Sequence, residues 1–337
     1  MKRPLVALAG VLALIIGTAA STAAATSTGA ATSAAAASTT YPNPLPIKGF
    51  AATHDPSMIR LADGSYETFA THDGIEIYHS PDRVHWRYIG QALPGGAPWA
   101  DAYQNGNATD LWAPDVSFHR GQYYLYYAVS SFGSNHSAIG LATSRTARPG
   151  SWTDHGLVLA TNTTDDANAI DPGLLVDRQQ RWWLSYGSFW GGIKMVRLDP
   201  ATGTPVANAV VYSLAQRPAP DALEGAYVVW HGGYYYLFAS YDFCCRGLNS
   251  TYNIKVGRSR SPTGPYLDRS GVNLMNDGGT QVLATHGYVV GPGGQTVLHD
   301  RGRDWLVYHY YNGRDAGTPR LGINLLAWHD GWPRVER

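Results

Sequence analysis

Five stretches of this chain repeat one short grammar, and that repetition limits the fold more than any single residue does. Each has an apolar strand, a polar turn, an aromatic strand and a further strand ending on a small or polar residue. They begin near Asn43 with "HDPSMIRLADGSYETFATHDGIEIYHS" and continue with "WAPDVSFHRGQYYLYYAVSS", "IDPGLLVDRQQRWWLSYGSFWGGIKMVRL", "LEGAYVVWHGGYYYLFASYDF" and "GPGGQTVLHDRGRDWLVYHYY". A short apolar run, a turn and a short aromatic run read as a β-hairpin. No segment keeps helical periodicity long enough to build a helical layer. Repeats of roughly 50–70 residues, each rich in short strands, predict an all-β fold, a five-bladed β-propeller over 43–337. A β-sandwich would not explain five similar units.

The repeats also set a register. Just after each hairpin turn stands an aromatic anchor: Tyr66, Tyr123, Trp182, Tyr235 and Trp305. Eleven residues before these stand Asp55, Trp112, Asp171, Glu224 and Gly294. The fourth anchor is a choice between Tyr234 and Tyr235, and Tyr235 implies a turn one residue longer. In a propeller the first strand of each blade lines the central channel, so equivalent positions converge on one axis. Any one of these acids could merely cap a turn, because Asp is common in turns. Three acids at one register predict instead that Asp55, Asp171 and Glu224 meet at one end of the channel.

Clustered carboxylates in an uncharged, aromatic setting suit glycosidic bond cleavage. One carboxyl must keep its proton for the leaving oxygen while another stays ionised. A third carboxylate beside the acid raises its pKa by like-charge repulsion. Calcium binding is the rival use of such a cluster, but the D-x-D-x-D ladder of a dedicated calcium loop is absent. The charge balance is even, with 25 Lys and Arg against 25 Asp and Glu, which gives no electrostatic reason to expect nucleic acid or an acidic membrane. The 22 Tyr and 11 Trp suit a β-rich protein, and exposed rings suit carbohydrate. "GPGGQT" is no phosphate loop, since it lacks the Lys-Ser/Thr ending and a following helix.

The "HDPS", "WAPDV", "AIDPGLL", "SFWGGI", "LEGAYV", "FCCRG" and "VYHYY" motifs resemble those of glycoside hydrolase family 43, in particular its endo-α-1,5-L-arabinanases. The resemblance spans 43–335. It implies inverting hydrolysis of linear plant cell-wall arabinan, with Asp55 as general base, Asp171 as the acid that tunes and orients the donor, and Glu224 as general acid. It further implies a sugar-stacking role for Trp112, and places His54, Phe132, Asn168, Ser188 and the "FCCRG" loop in the substrate groove. His309 resembles a histidine near a channel cation, usually Ca²⁺, held largely through water. Read by themselves, Trp112 and His309 are equally ordinary core residues. Exo-arabinanase, arabinofuranosidase and β-xylosidase activities use the same scaffold, and a non-catalytic sugar-binding propeller is a further alternative. Binding alone needs no carboxyl with a raised pKa.

The N-terminus reads as an export signal over 1–25. Lys2 and Arg3 precede the apolar "LVALAGVLALIIG", with small residues up to a cleavage site near Ala25. A retained anchor is the alternative. The Ala/Ser/Thr-rich tract over 26–42 is expected to be a disordered linker. The expected product is a secreted, monomeric, single-domain protein ending at Arg337, with no membrane or nucleic-acid partner. "NAT", "NHS", "NTT" and "NST" are glycosylation sequons that matter only in a glycosylating host. Cys244 and Cys245 are the only cysteines, so no disulfide framework is possible, and their sequence fits either a bond between neighbours or two buried thiols.

Overall fold

A computed structural model describes residues 41–49, 52–104 and 106–337, so the expected signal over 1–25 and most of the expected linker over 26–42 lie outside the described residues. Five antiparallel sheets follow one another along the chain. Blade 1 holds β1 (Ser57–Arg60), β2 (Tyr66–Ala70), β3 (Glu76–Ser80) and β4 (Arg87–Gln91). Blade 2 holds β5 (Trp112–His119), β6 (Gln122–Val129), β7 (Ser137–Ser144) and β8 (Thr153–Thr161). In blade 3, β9 (Gly173–Val176), β10 (Trp182–Tyr186) and β11 (Ile193–Asp199) are completed by two strands that both pair with β11, β12 (Thr204–Pro205) and β13 (Val211–Ala215). Blade 4 holds β14 (Leu223–His231), β15 (Tyr234–Tyr241), β16 (Asn253–Ser259) and β17 (Thr280–Leu283). Blade 5 holds β18 (Val289–Asp300), β19 (Arg303–Asn312), β20 (Thr318–His329) and β21 (Trp332–Glu336).

The first strands of the blades touch in a closed circuit, β1 to β5, β9, β14, β18 and back to β1. This is a five-bladed β-propeller. Its apolar core is divided into five layers, one in each cleft between neighbouring blades. Phe69, Ile77, Val116 and Leu125 fill the first cleft, and Met58, Tyr66, Trp305 and Val307 fill the last. The aromatic strands supply the bulk of these layers, and buried hydroxyls find acceptors as burial requires. Tyr126 Oη donates to the Gly203 carbonyl at 2.8 Å, and Tyr241 Oη to that of Gly278 at 2.7 Å.

Hydrogen bonds stitch each junction of the inner strands. Val116 N–H donates to Ser57 Oγ, Leu174 N–H to Asp115 Oδ2, Gly225 N–H to Asp171 Oδ2, and Gly294 N–H to Ser240 Oγ. The ring closes where Thr296 Oγ1 donates to the Pro56 carbonyl. Every blade is built from consecutive strands, so no strand is borrowed across this seam. Buried Asp300 holds it instead, accepting from Tyr66 Oη at 2.8 Å beside the guanidinium groups of Arg60 and Arg83. Tyr41, two residues before Asn43, packs on the layer between blades 4 and 5.

The eleven-residue register holds in the ladders of blades 2 and 4, but in blade 5 it slips, with Gly293 rather than Gly294 opposite His309, four residues past Trp305. Trp112 lies opposite Ala128 and Glu224 opposite Ser240, each partner five residues past its anchor. Tyr235 is the right anchor, but not because its turn is longer. Gly232–Gly233 spans the same two residues as Arg120–Gly121 in blade 2. Blades 1 and 3 have the longer turns, closed by Leu61 N–H to Ser65 O and Asp177 N–H to Arg181 O. A one-residue bulge in β5 and in β14 offsets the shorter turns and keeps the spacing constant.

Candidate active site

The inner strands lose regular geometry where they reach the end of the channel, and that irregularity aims the acids. Asp55 and Asp171 adopt left-handed backbone, with φ of 45° and 56°, and each precedes a proline. In blade 4 the left-handed residue is Gly225, immediately after Glu224. Non-glycine residues in this region cost of order 1–3 kcal/mol, and such strain clusters at functional sites. The fifth register position needs its glycine: Gly294 has φ of 57°, and a Cβ there would lie 2.8 Å from His309 Nδ1 and still closer to Asp55 Oδ1.

Asp55, Asp171 and Glu224 all line one groove of about 1020 Å³. Asp55 and Asp171 also border a small cavity leading down the axis. His54, Trp112, Phe132, Asn168 and Ser188 line the same groove, as do residues of the "FCCRG" loop. Phe132 is 84% exposed, as suits a ring free to take a ligand, whereas Asn168 and Ser188 are buried. His309 lies beneath the groove, fully buried, with its ring 4.2 Å from that of His54.

Each carboxylate has a distinct environment. Burial alone would raise the pKa of Asp55, but His309, His54 and a 2.7 Å hydrogen bond from Thr71 Oγ1 outweigh it and hold the carboxyl well below its usual range. Asp55 N–H donates to His309 Nδ1 at 3.1 Å, so that nitrogen carries no proton to share with Asp55 Oδ1 3.4 Å away. His54 is pushed down to about 3, first by burial and then by His309, and is neutral at ordinary pH. Thr71 is therefore the donor that counts for Asp55 near neutrality.

Asp171 and Glu224 are pushed the other way. Burial raises Asp171 well above the usual range, and the charges of Glu224 and Asp55 add to it. Asp171 Oδ2 accepts from Gly225 N–H at 2.9 Å, which ties it to the backbone carrying Glu224. Glu224, 9% exposed, is raised chiefly by burial and opposed by its two donors, Tyr252 and Ser188. Tyr252 Oη donates to Oε1, and Ser188 Oγ donates to Oε2 at 2.7 Å. A proton on Oε2 reverses the Ser188 bond, because a hydroxyl accepts as well as it donates. The arrangement pushes one carboxyl towards its ionised form and its two neighbours towards their protonated forms, the split that acid–base cleavage requires.

Thr71 and Tyr252 join the site without any signal in the sequence, and Tyr311 joins it from the end of the "VYHYY" motif, where only His309 was singled out. They follow or precede regular strands by one residue or sit near a strand end, in segments already crowded with Thr and Tyr. Tyr311 Oη lies 3.5 Å from His54 Nε2 and also accepts from Cys245 N–H. Cys244 and Cys245 are joined to each other in a disulfide.

Among the described residues a cation would fit one cluster of side chains. The ligand atoms of His54, Asp55 and His309 lie within 4.8 Å of one another, and buried His309 Nε2 has no hydrogen-bond partner among the described residues.

Comparison with known proteins agrees with this geometry. The family model for glycosyl hydrolases family 43 matches residues 41–333. The chain is 43% identical to the extracellular endo-α-(1→5)-L-arabinanase 1 of Bacillus subtilis, over 83% of this chain and 86% of that protein. It is 39% identical to the extracellular exo-α-(1→5)-L-arabinofuranosidase ArbA of Cellvibrio japonicus, over 84% and 86%. The solved Cellvibrio cellulosa α-L-arabinanase complexed with arabinohexaose superposes with a TM-score of 0.81 at 38% identity, covering 86% of this chain and 96% of that one. The chain belongs to glycosyl hydrolase family 43.

Proposed function

We propose that this family 43 chain is a secreted arabinanase that cleaves internal α-1,5-L-arabinofuranosidic bonds of arabinan with inversion. One observation carries the reading: three carboxylates from three blades share one groove of about 1020 Å³, with Asp55 held below the usual carboxyl range while burial pushes Asp171 and Glu224 above it. Glu224 gives its proton to the glycosidic oxygen as the bond to the anomeric carbon breaks. Asp55 takes a proton from a water that attacks that carbon from the opposite face, which inverts the configuration. Asp171 and Glu224 oppose each other's ionisation, which favours one shared proton, and Asp171 fixes the adjoining backbone through Gly225. Trp112, Phe132 and His54 supply faces against which furanose rings pack.

The relatives' names support arabinan as substrate and an extracellular location. Among the described residues no helix is long and apolar enough to cross a membrane. Ca²⁺ is the ion we propose for this place, which His309, with His54 and Asp55 beside it, would hold. It would supply a fixed positive charge beneath the carboxylates, favouring ionised Asp55.

Product analysis tests the reading. Linear arabinan should yield a ladder of oligosaccharides, and NMR of the first product should show the inverted anomer. Release of monosaccharide alone would replace endo with exo action, the activity of the Cellvibrio japonicus relative. Retained configuration would overturn the mechanism.

A further inference from the structure

The "GPGGQT" stretch of β18 has no task yet in the acid–base chemistry. It faces a break in β14. Between Glu224, paired with Ser240, and Tyr227, paired with Phe238, the ladder slips, and Gly225 is left out of the pairing. Its buried peptide groups still need partners, and the neighbouring blades supply them. From blade 3, Asp171 Oδ2 accepts from Gly225 N–H at 2.9 Å. From blade 5, Gln295 Nε2 donates to the Gly225 carbonyl at 2.6 Å.

We propose that Gln295 is a positioning residue for the general acid: by holding the Gly225 carbonyl, it fixes the main chain from which Glu224 reaches the groove. The inference rests on the general-acid role given to Glu224 in the reading above. Gln295 is buried, and its partners leave its amide one orientation. A carbonyl only accepts, so the end that meets Gly225 is the NH₂ group. Gln295 Oε1 accepts from Ser240 Oγ at 2.8 Å, and Ser240 Oγ in turn accepts from Gly294 N–H at 2.9 Å. The hydroxyl has a single hydrogen and an N–H cannot take it, so that hydrogen goes to Gln295. The bonds therefore run one way, from Gly294 through Ser240 and Gln295 to Gly225. None of these groups titrates, so the hold is the same whether Glu224 carries its proton or has given it up. Packing leaves little slack. Gly225 has φ of 64°, and a Cβ there would lie 2.9 Å from Ser240 Oγ. Glycine has the freest backbone of any residue, and this one adjoins the acid. Without Gln295 the aim of Glu224 would drift.

Gln295→Met keeps the length of the side chain but has no N–H to donate. A misaimed acid costs most where the leaving oxygen most needs its proton. On arabinohexaose the variant should lose about tenfold in kcat with KM within about twofold. On a nitrophenyl arabinotrioside, whose leaving group is activated, the loss should stay below about threefold. In a Glu224→Ala background the same change should cost less than about twofold on arabinohexaose, because a residue that acts through another adds nothing once the other is gone. Should Gln295→Met fail to fold, as circular dichroism would show, Ser240→Ala carries the test. It keeps the amide donor but unlocks it, and should show the same substrate pattern with about a threefold loss on arabinohexaose. Equal losses on the two substrates overturn the inference, and so does a loss that persists undiminished without Glu224. Wild-type rates in the variant that carries the test overturn it as well. Glu224→Ala harming both substrates equally would instead overturn the general-acid assignment, and wild type inactive on arabinohexaose would overturn the arabinanase reading.

Discussion

Asp171 shows how one side chain serves both geometry and charge. Its Oδ2 accepts from Gly225 N–H, and the charge of Glu224 raises its proton affinity, so the two neighbouring carboxyls oppose each other's ionisation. Asp171→Asn keeps an acceptor oxygen but removes the charge. A negative neighbour raises a carboxyl pKa, so its removal lowers that of Glu224 and the acid loses its proton sooner as pH rises. The alkaline limb of kcat/KM should move down by about one pH unit, while the acid limb, set by Asp55, stays in place. A pH–rate profile with both limbs unmoved rejects this role. In the proposed mechanism Glu224→Ala removes the proton donor altogether. It should cost about 10²–10⁴-fold on arabinan but far less on an aryl arabinoside whose leaving group needs little protonation. Equal losses on both substrates, measured side by side, would assign the donor elsewhere.

At the scale of the strand, the inner edge of each blade carries bonds that fix its neighbour. Asp115 on β5 is the costly one. Its Oδ2 accepts from Leu174 N–H on β9, and Oδ1 has no hydrogen-bond partner among the described residues. Burial pushes its pKa up to about 7. The folded protein therefore holds this proton between the ordinary carboxylate pKa and pH 7, where the unfolded chain has released it. Stability drawn from that proton is present at low pH and lost as pH rises towards 7. Wild type should lose on the order of 2 kcal/mol between pH 5 and pH 7 through this group. Asp115→Asn keeps the acceptor for Leu174 and cannot ionise, so the loss should disappear. Urea melts of both proteins across this range would measure it, and parallel pH dependences would refute the assignment.

Across the whole molecule, closure depends on side chains meeting at one seam. His309 belongs to blade 5, yet its Nδ1 accepts from Asp55 N–H of blade 1. An ion held beside His309 would thus link the seam to the catalytic floor. Chelation should lower both activity and the thermal midpoint, and added Ca²⁺ should restore both, because a ligand that binds only the folded state stabilises it. His309→Ala should lower activity while leaving the fold intact, and its thermal midpoint should no longer respond to Ca²⁺. A variant that keeps the wild-type rate would reduce His309 to packing.

The five hairpins and the register of Asp55, Asp171 and Glu224 were legible in the sequence. Their signals are local: alternating apolar and aromatic runs, turn residues and a constant eleven-residue offset, each written within one blade. Trp112 and Gly294 were visible at the same register, but the need for glycine was not, since it arises from the closeness of Asp55 and His309 in space. The partners of the acids lay beyond sequence reading for the same reason. Tyr252 reaches Glu224 from the far end of a loop, Ser188 reaches it from blade 3, and Gly225 serves Asp171 across a blade junction. The bulges in β5 and β14 offset shorter turns, a trade that a residue count cannot reveal. The repeated hairpin determined which residues stand at equivalent positions. How the blades pack around the axis decided which hydroxyl, amide or imidazole meets each carboxylate, and hence which acid stays ionised and which keeps its proton.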